Sequence, residues 1–315
     1  VPTVDGGAVE ADGRKIWRLF AENYYLFRGT PTRMWLDHTL ATLFGLSERL
    51  TPGNADAQYD HIADLLTRDE FSPRALFERF NLEVISTTDP AIDELKWHKM
   101  IRDSGWKGRV VPAYRPDNTV DPDFLGFEKN LDRLAAVSGC DTGHYPGYLE
   151  AHRQRRAFFK SLGATSSDHG HPTAETANLS PKEAGALYAK VRGGKADARD
   201  RALFRAQMLT EMARMSVDDG LVLQIHPGSS RNHSPAMLAK FGRDKGFDIP
   251  TRTDYVAALK PMLDAVGLEP NLSIILFTLD ESSYARELAP LAGVYPALRL
   301  GPPWWFHDSP EGMRR

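Results

Sequence analysis

Asp168-His169-Gly170-His171 places a carboxylate and two imidazoles within four residues. On an extended strand, residues two apart face the same side, so His169 and His171 could reach one metal ion. The spacing equally suits a strand-end histidine and a loop histidine with separate partners. Leu223-Gln224-Ile225-His226-Pro227-Gly228 closes an apolar stretch on a histidine, which Pro-Gly then holds at a rim. His226 is read there either as a packed, hydrogen-bonded residue or as a ligand or acid–base group. The sequel Ser229-Ser230-Arg231-Asn232-His233 adds a cation and polar side chains. That combination suits an oxygen-rich anionic small molecule, because guanidinium binds carboxylate through two parallel hydrogen bonds. Arg115, ending Arg109-Val110-Val111-Pro112-Ala113-Tyr114-Arg115, is a second candidate carboxylate clamp. Its plainer reading is a surface arginine paired with Asp117, worth little to stability. Trp304-Trp305-Phe306 supplies either core packing or the flat walls of a sugar-sized pocket.

These residues sit at the ends of a repeating pattern. β-branched or apolar stretches recur at 83–88, 109–115, 164–171, 221–226, 273–278 and 297–300, with helix-like segments between them. Strand, helix, strand in repetition predicts a parallel sheet covered by helices, and the six strands nearly all end in residues able to do chemistry. In a (β/α) barrel the strand C-termini form one mouth, where catalytic side chains gather. A doubly wound sheet would place them similarly. No Gly-x-Gly-x-x-Gly follows a strand and no phosphate-loop motif occurs, so the barrel is favoured. The gaps after Arg115 and His171 are too long for one loop and one helix, and predict extra helices. Ser180-Pro181 with Glu183 has the spacing of a capping box. The stripe Phe204, Met208, Met212, Met215 reads as core packing that stops before Gly220. Residues 1–80 read as a helical appendage, with Trp17, Phe20, Tyr24 and Phe27 on one apolar face, and 81–315 as the barrel strands with their helices.

Composition excludes several classes. With 39 Lys+Arg against 42 Asp+Glu and 42% hydrophobic residues, the chain is neither disordered nor basic enough to suggest a nucleic-acid or anionic-membrane partner. The apolar stretches are too short to predict a transmembrane helix. Cys140 is alone, so no internal disulfide forms, and a reducing, cytoplasmic setting is expected. The absence of a Gly-x-Ser-x-Gly turn, and the polar stretch around Cys140, argue against a serine or cysteine nucleophile.

Taken together, Val111-Pro112-Ala113-Tyr114-Arg115-Pro116-Asp117, Ser167-Asp168-His169, Gln224-Ile225-His226 through Arg231-Asn232, and Gly301 with Trp304-Trp305-Phe306 and Asp308 through Gly312-Met313 resemble the glucuronate (uronate) isomerase family. The resemblance extends over nearly the whole chain, from Tyr25-Leu26-Phe27-Arg28 onward. It implies a TIM-like barrel of the metal-dependent hydrolase type, and interconversion of glucuronate with fructuronate and of galacturonate with tagaturonate. It implies a divalent metal, zinc by class, and a small hexuronate as partner, and it leaves a homo-oligomer open. In that family a His-x-His pair on the first strand and an Asp on the eighth hold the metal. Neither segment is found here, so the barrel is expected to lack its first and last strands and the chain to be inactive by itself. The helical region 1–80 would then be an insertion between strands one and two. Residue by residue, the resemblance implies Asp168, His169 and His226 as catalytic or supporting groups, with His226 also a metal ligand. Arg115, Arg231 and Asn232 would bind substrate, walled by Trp304 and Trp305. A metal-dependent hydrolase on the same barrel, or a non-catalytic fragment, are the alternatives.

Overall fold

The computed structural model describes residues 3–302, 305 and 310–314. The chain divides into two compact units, Val1–Glu83 with Ser230–Ile249 and Trp305–Arg315, and Val84–Ser229 with Pro250–Trp304.

In the first unit, helix α1 (Gly13–Asn23) is capped by the Asp12 carboxylate and runs into a 3-10 turn at Tyr24–Phe27. The apolar face read from the sequence exists: Phe20 lies 5.3 Å from Tyr24 and 5.6 Å from Phe27, ring centre to ring centre. Helices α2 (Pro31–Thr42), α3 (Ala55–Leu65) and α4 (Pro73–Arg79) follow. Thr30 and Ser72 accept from the first turns of α2 and α4, each with proline at the start, where the missing N–H costs nothing. Tyr24, Leu40, Leu50 and Ala55 form this unit's own apolar core.

The second unit holds the sheet. Strands β1 (Ile85–Pro90), β2 (Val110–Arg115), β3 (Ser166–His169), β4 (Val222–Ile225), β5 (Ile274–Leu276) and β6 (Leu298–Leu300) lie side by side in chain order. Every adjacent pair is parallel. Among the described residues these six strands are the whole of that sheet. Helix α5 (Lys96–Asp103) links β1 to β2. The long gap after β2 holds α6 (Asp117–Val120), α7 (Phe127–Ser138) and α8 (Tyr145–Ser161). The gap after β3 holds α9 (Pro181–Arg192) and α10 (Ala198–Asp219). The Ser180–Glu183 capping box is closed in both directions, and α10 ends where Gly220 takes a φ of 75°, a left-handed conformation that glycine adopts without a Cβ clash. Phe204, Met208, Met212 and Met215 are all buried in the unit's core, as the helical stripe predicts. The strand read at 273–278 is shorter: β5 stops at Leu276, and Asp280 caps a short helical turn. Among the described residues, no helix is long and apolar enough to cross a membrane.

Candidate active site

Strand alternation sorts the chemistry onto two faces of the sheet. Tyr114 on β2 is fully buried, with its ring edge-on to Phe159 of α8 at 5.1 Å, so its side of the sheet faces the helices. Tyr114 pairs in register with Ser167, and side chains paired across strands share a face. Ser167 and His169, two residues apart, therefore point toward the helices. Arg115 and Asp168, one residue further along each strand, point the other way. Asp168 pairs with Gln224, so His226, two residues beyond Gln224, joins them on the inner face.

The inner face carries a connected row of charge. Arg115 donates from Nη1 to Asp168 Oδ2 at 3.3 Å, and the other oxygen of Asp168 lies 3.1 Å from His226 Nδ1. The His226 ring stands edge-on to Phe277 at 6.3 Å. Burial pushes the Asp168 carboxyl up to about 6, against the pull of Arg115 and helped by the nearby charge of Asp117. Burial also works against the Arg115 charge, but Asp117 and Asp168 more than offset it and hold the guanidinium above its ordinary pKa. A carboxyl so placed, between a cation and an imidazole, can hold or release a proton near neutral pH.

Behind this row lies a second group. Asp117 receives Arg115 Nε at 2.7 Å on Oδ2, and both its oxygens accept from the Gly170 N–H at 3.2 and 3.3 Å. The sequence offered Asp117 only as a surface partner of Arg115. The pair is in fact partly buried and continues to Asp168. A carboxylate oxygen of Asp117 and one ring nitrogen each of His169 and His171 lie within 4.8 Å of one another, a donor set that could hold a metal ion. His169 and His171 are buried, which keeps both imidazoles neutral: His169 falls well below its ordinary pKa, and His171 falls despite the opposing carboxylates of Asp117 and Asp121. Asp117 has a faint signal in the sequence, an acid two residues past a strand-end arginine, but nothing local reveals that β3 returns beside it.

In the other unit, Arg231 lies 5.0 Å over the Trp305 ring and 3.9 Å from both Asp244 and Asp248. Asn232 has a φ of 54°, and its side chain accepts from the Asp244 N–H at 2.8 Å, so its amide shapes the loop. Trp304 lies outside the described residues.

A parallel sheet wound in chain order, with its ionisable side chains gathered at the strand C-termini, defines an enzyme site of the (β/α)-barrel class. The glucuronate isomerase family profile matches residues 4–315. The chain belongs to that family. It is 73% identical over 315 residues to the uronate isomerase of Mesorhizobium japonicum, covering 67% of that protein, and 71% identical to that of Rhizobium meliloti, again over 67% of its length. Its fold superposes on crystal structures of two relatives. Glucuronate isomerase from Caulobacter crescentus gives a TM-score of 0.95 at 55% identity, over 99% of this chain and 65% of that one. Uronate isomerase from Thermotoga maritima gives 0.90 at 25% identity, over 98% of this chain and 67% of that one. The chain thus spans about two thirds of the length of the relatives it matches.

Proposed function

We propose that this protein interconverts D-glucuronate with D-fructuronate, and D-galacturonate with D-tagaturonate, by moving a proton between C2 and C1 through a cis-enediol. The reading rests on family membership and on one observation, the inner-face row in which Arg115, Asp168 and His226 are joined at 3.3 and 3.1 Å. Arg115 presents a guanidinium at the mouth and binds the substrate carboxylate or its hydroxyls. Asp168 takes the C2 proton and returns it to C1, and Arg115 and His226 orient its carboxyl. His169, on the opposite face, supports the strand end from behind. On the family resemblance alone, Arg231 and Asn232 are further candidates for binding the sugar acid, and Trp304 and Trp305 for its apolar contacts.

The reaction needs positive charge where the carbonyl oxygen becomes an oxyanion, and a divalent ion, zinc by class, supplies it when bound. His226 fits a ligand of that ion, because its Nδ1 is turned to a carboxylate in the way metal-ligating histidines are oriented. The lone Cys140 and a soluble sugar-acid substrate fit a cytoplasmic enzyme. Arg115→Met in the intact enzyme tests the reading. We expect the kcat/KM for glucuronate to fall by about a hundredfold or more, through KM, kcat or both, as the loss of a charge-assisted pair requires. Unchanged kinetics would remove Arg115 from the site.

A further inference from the structure

We propose that Asp117, His169 and His171 form a metal site of their own, at the C-terminal ends of β2 and β3, for a divalent ion of the zinc or cobalt class. His226 is not one of its ligands, and the proposal stands whether or not the chain isomerises uronates.

Two buried atoms point to a ligand. His169 Nδ1 and His171 Nε2 have no hydrogen-bond partner, although His169 is wholly buried and His171 is 5% exposed. An unpartnered buried nitrogen is costly, and two in one group mark a place where something else is bound. The orientation of His169 agrees. Its Nε2 lies 3.1 Å from Ser167 Oγ, which fixes that nitrogen and leaves Nδ1 as the donor atom. Asp117 adds the anionic ligand, and its carboxylate is itself held by Arg115 and by the Gly170 N–H. Two imidazoles and one carboxylate are the donors that borderline divalent ions select. The three residues come from the turn after β2 and the end of β3, so an ion there would tie these strand ends together. Through Asp117 it would also steady the Arg115 head group from behind.

Cobalt(II) is the probe. The metal-stripped His226→Gln chain, titrated with Co2+, should still take up one equivalent with the visible absorption of a nitrogen- and oxygen-ligated ion. X-ray absorption of the loaded chain should show two imidazole ligands, and Zn2+ should raise the melting temperature. His171→Gln should weaken Co2+ binding at least tenfold, whereas His226→Gln should leave it unchanged. Should His171→Gln fail to fold, the imidazole count in the unaltered chain decides. No specific uptake, fewer than two imidazoles, or binding abolished by His226→Gln but not by His171→Gln would overturn the proposal.

Discussion

Gly170 shows how tightly individual residues tie the two faces of the sheet. A Cβ at this position would sit 2.1 Å from Arg115 Nη2 and 3.0 Å from Asp117 Oδ2. The nearest of these atoms is the end of a flexible arginine, so the chain can accommodate alanine by letting Arg115 move. The group that moves is the proposed carboxylate clamp. We therefore expect Gly170→Ala to lower kcat/KM by about tenfold or more, since a shift of an ångström in a binding group carries that weight. Its melting temperature should stay within about 4 °C of the parent, the shift that roughly 1 kcal/mol produces in a domain of this size. A variant with unchanged kinetics would show that the place Arg115 holds beside Gly170 is irrelevant to turnover. At this scale much was legible in the sequence. Arg115, Asp168 and His226 stand out because each closes an apolar stretch, and a strand's end is a local property. Asp117 does not stand out, because its significance depends on a neighbour more than fifty residues away in the chain.

Among the elements, α8 carries the clearest consequence for stability. His152 on this helix is wholly buried, with Nδ1 2.7 Å from the Tyr114 hydroxyl of β2 and Nε2 without a partner. Burial lowers its pKa from 6.5 to about 3, with the charge of Arg156 adding to the effect. Between those two values the unfolded chain binds a proton that the folded chain refuses. The stability that neutral His152 allows is therefore complete above about pH 6.5 and drains away as the pH falls toward 3. His152→Gln, which cannot be protonated, should flatten the acid side of a plot of urea midpoint against pH. Identical slopes for parent and variant below pH 6.5 would mean that His152 is not the residue responsible. The helix itself was readable as one of the extra segments after Arg115, and α9 was readable from its Ser180–Glu183 box. Caps and periodicity are short-range signals, which is why these elements came through, whereas β5, with no cap to bound it, is three residues shorter than the apolar stretch 273–278.

For the molecule as a whole, each unit has its own apolar core, and the larger one is organised around an ion pair within it. Arg156 on α8 is fully buried, donating from Nε to Asp219 Oδ2 at 2.6 Å and from Nη2 to Ser216 Oγ at 2.9 Å, both on α10. Its guanidinium also lies 5.8 Å from the centre of the Tyr114 ring. One side chain thereby joins two helices and a strand. Arg156→Ala should cost about 3–5 kcal/mol in urea unfolding, because it strands a carboxylate and opens a cavity. Arg156→Met, which keeps most of the volume, should cost less. A loss below about 1 kcal/mol for the alanine variant would show that Asp219 finds water instead.

Six strands, their chain order and the residues at their ends were determined locally, by runs of β-branched residues, by helical spacing and by turn chemistry that read the same in any context. Which face each strand end presents was decided only in the folded molecule. Alternation states that Asp168 and His169 point opposite ways, but not which of them meets the helices. That follows from the register of Tyr114 with Ser167 and from the packing of Tyr114 under α8. The same register brings Arg115, Asp168 and His226 into one row, and leaves Asp117, His169 and His171 as a separate group behind it. Such groupings depend on distances between segments far apart in the chain, which packing against a common core sets and local residue preference does not.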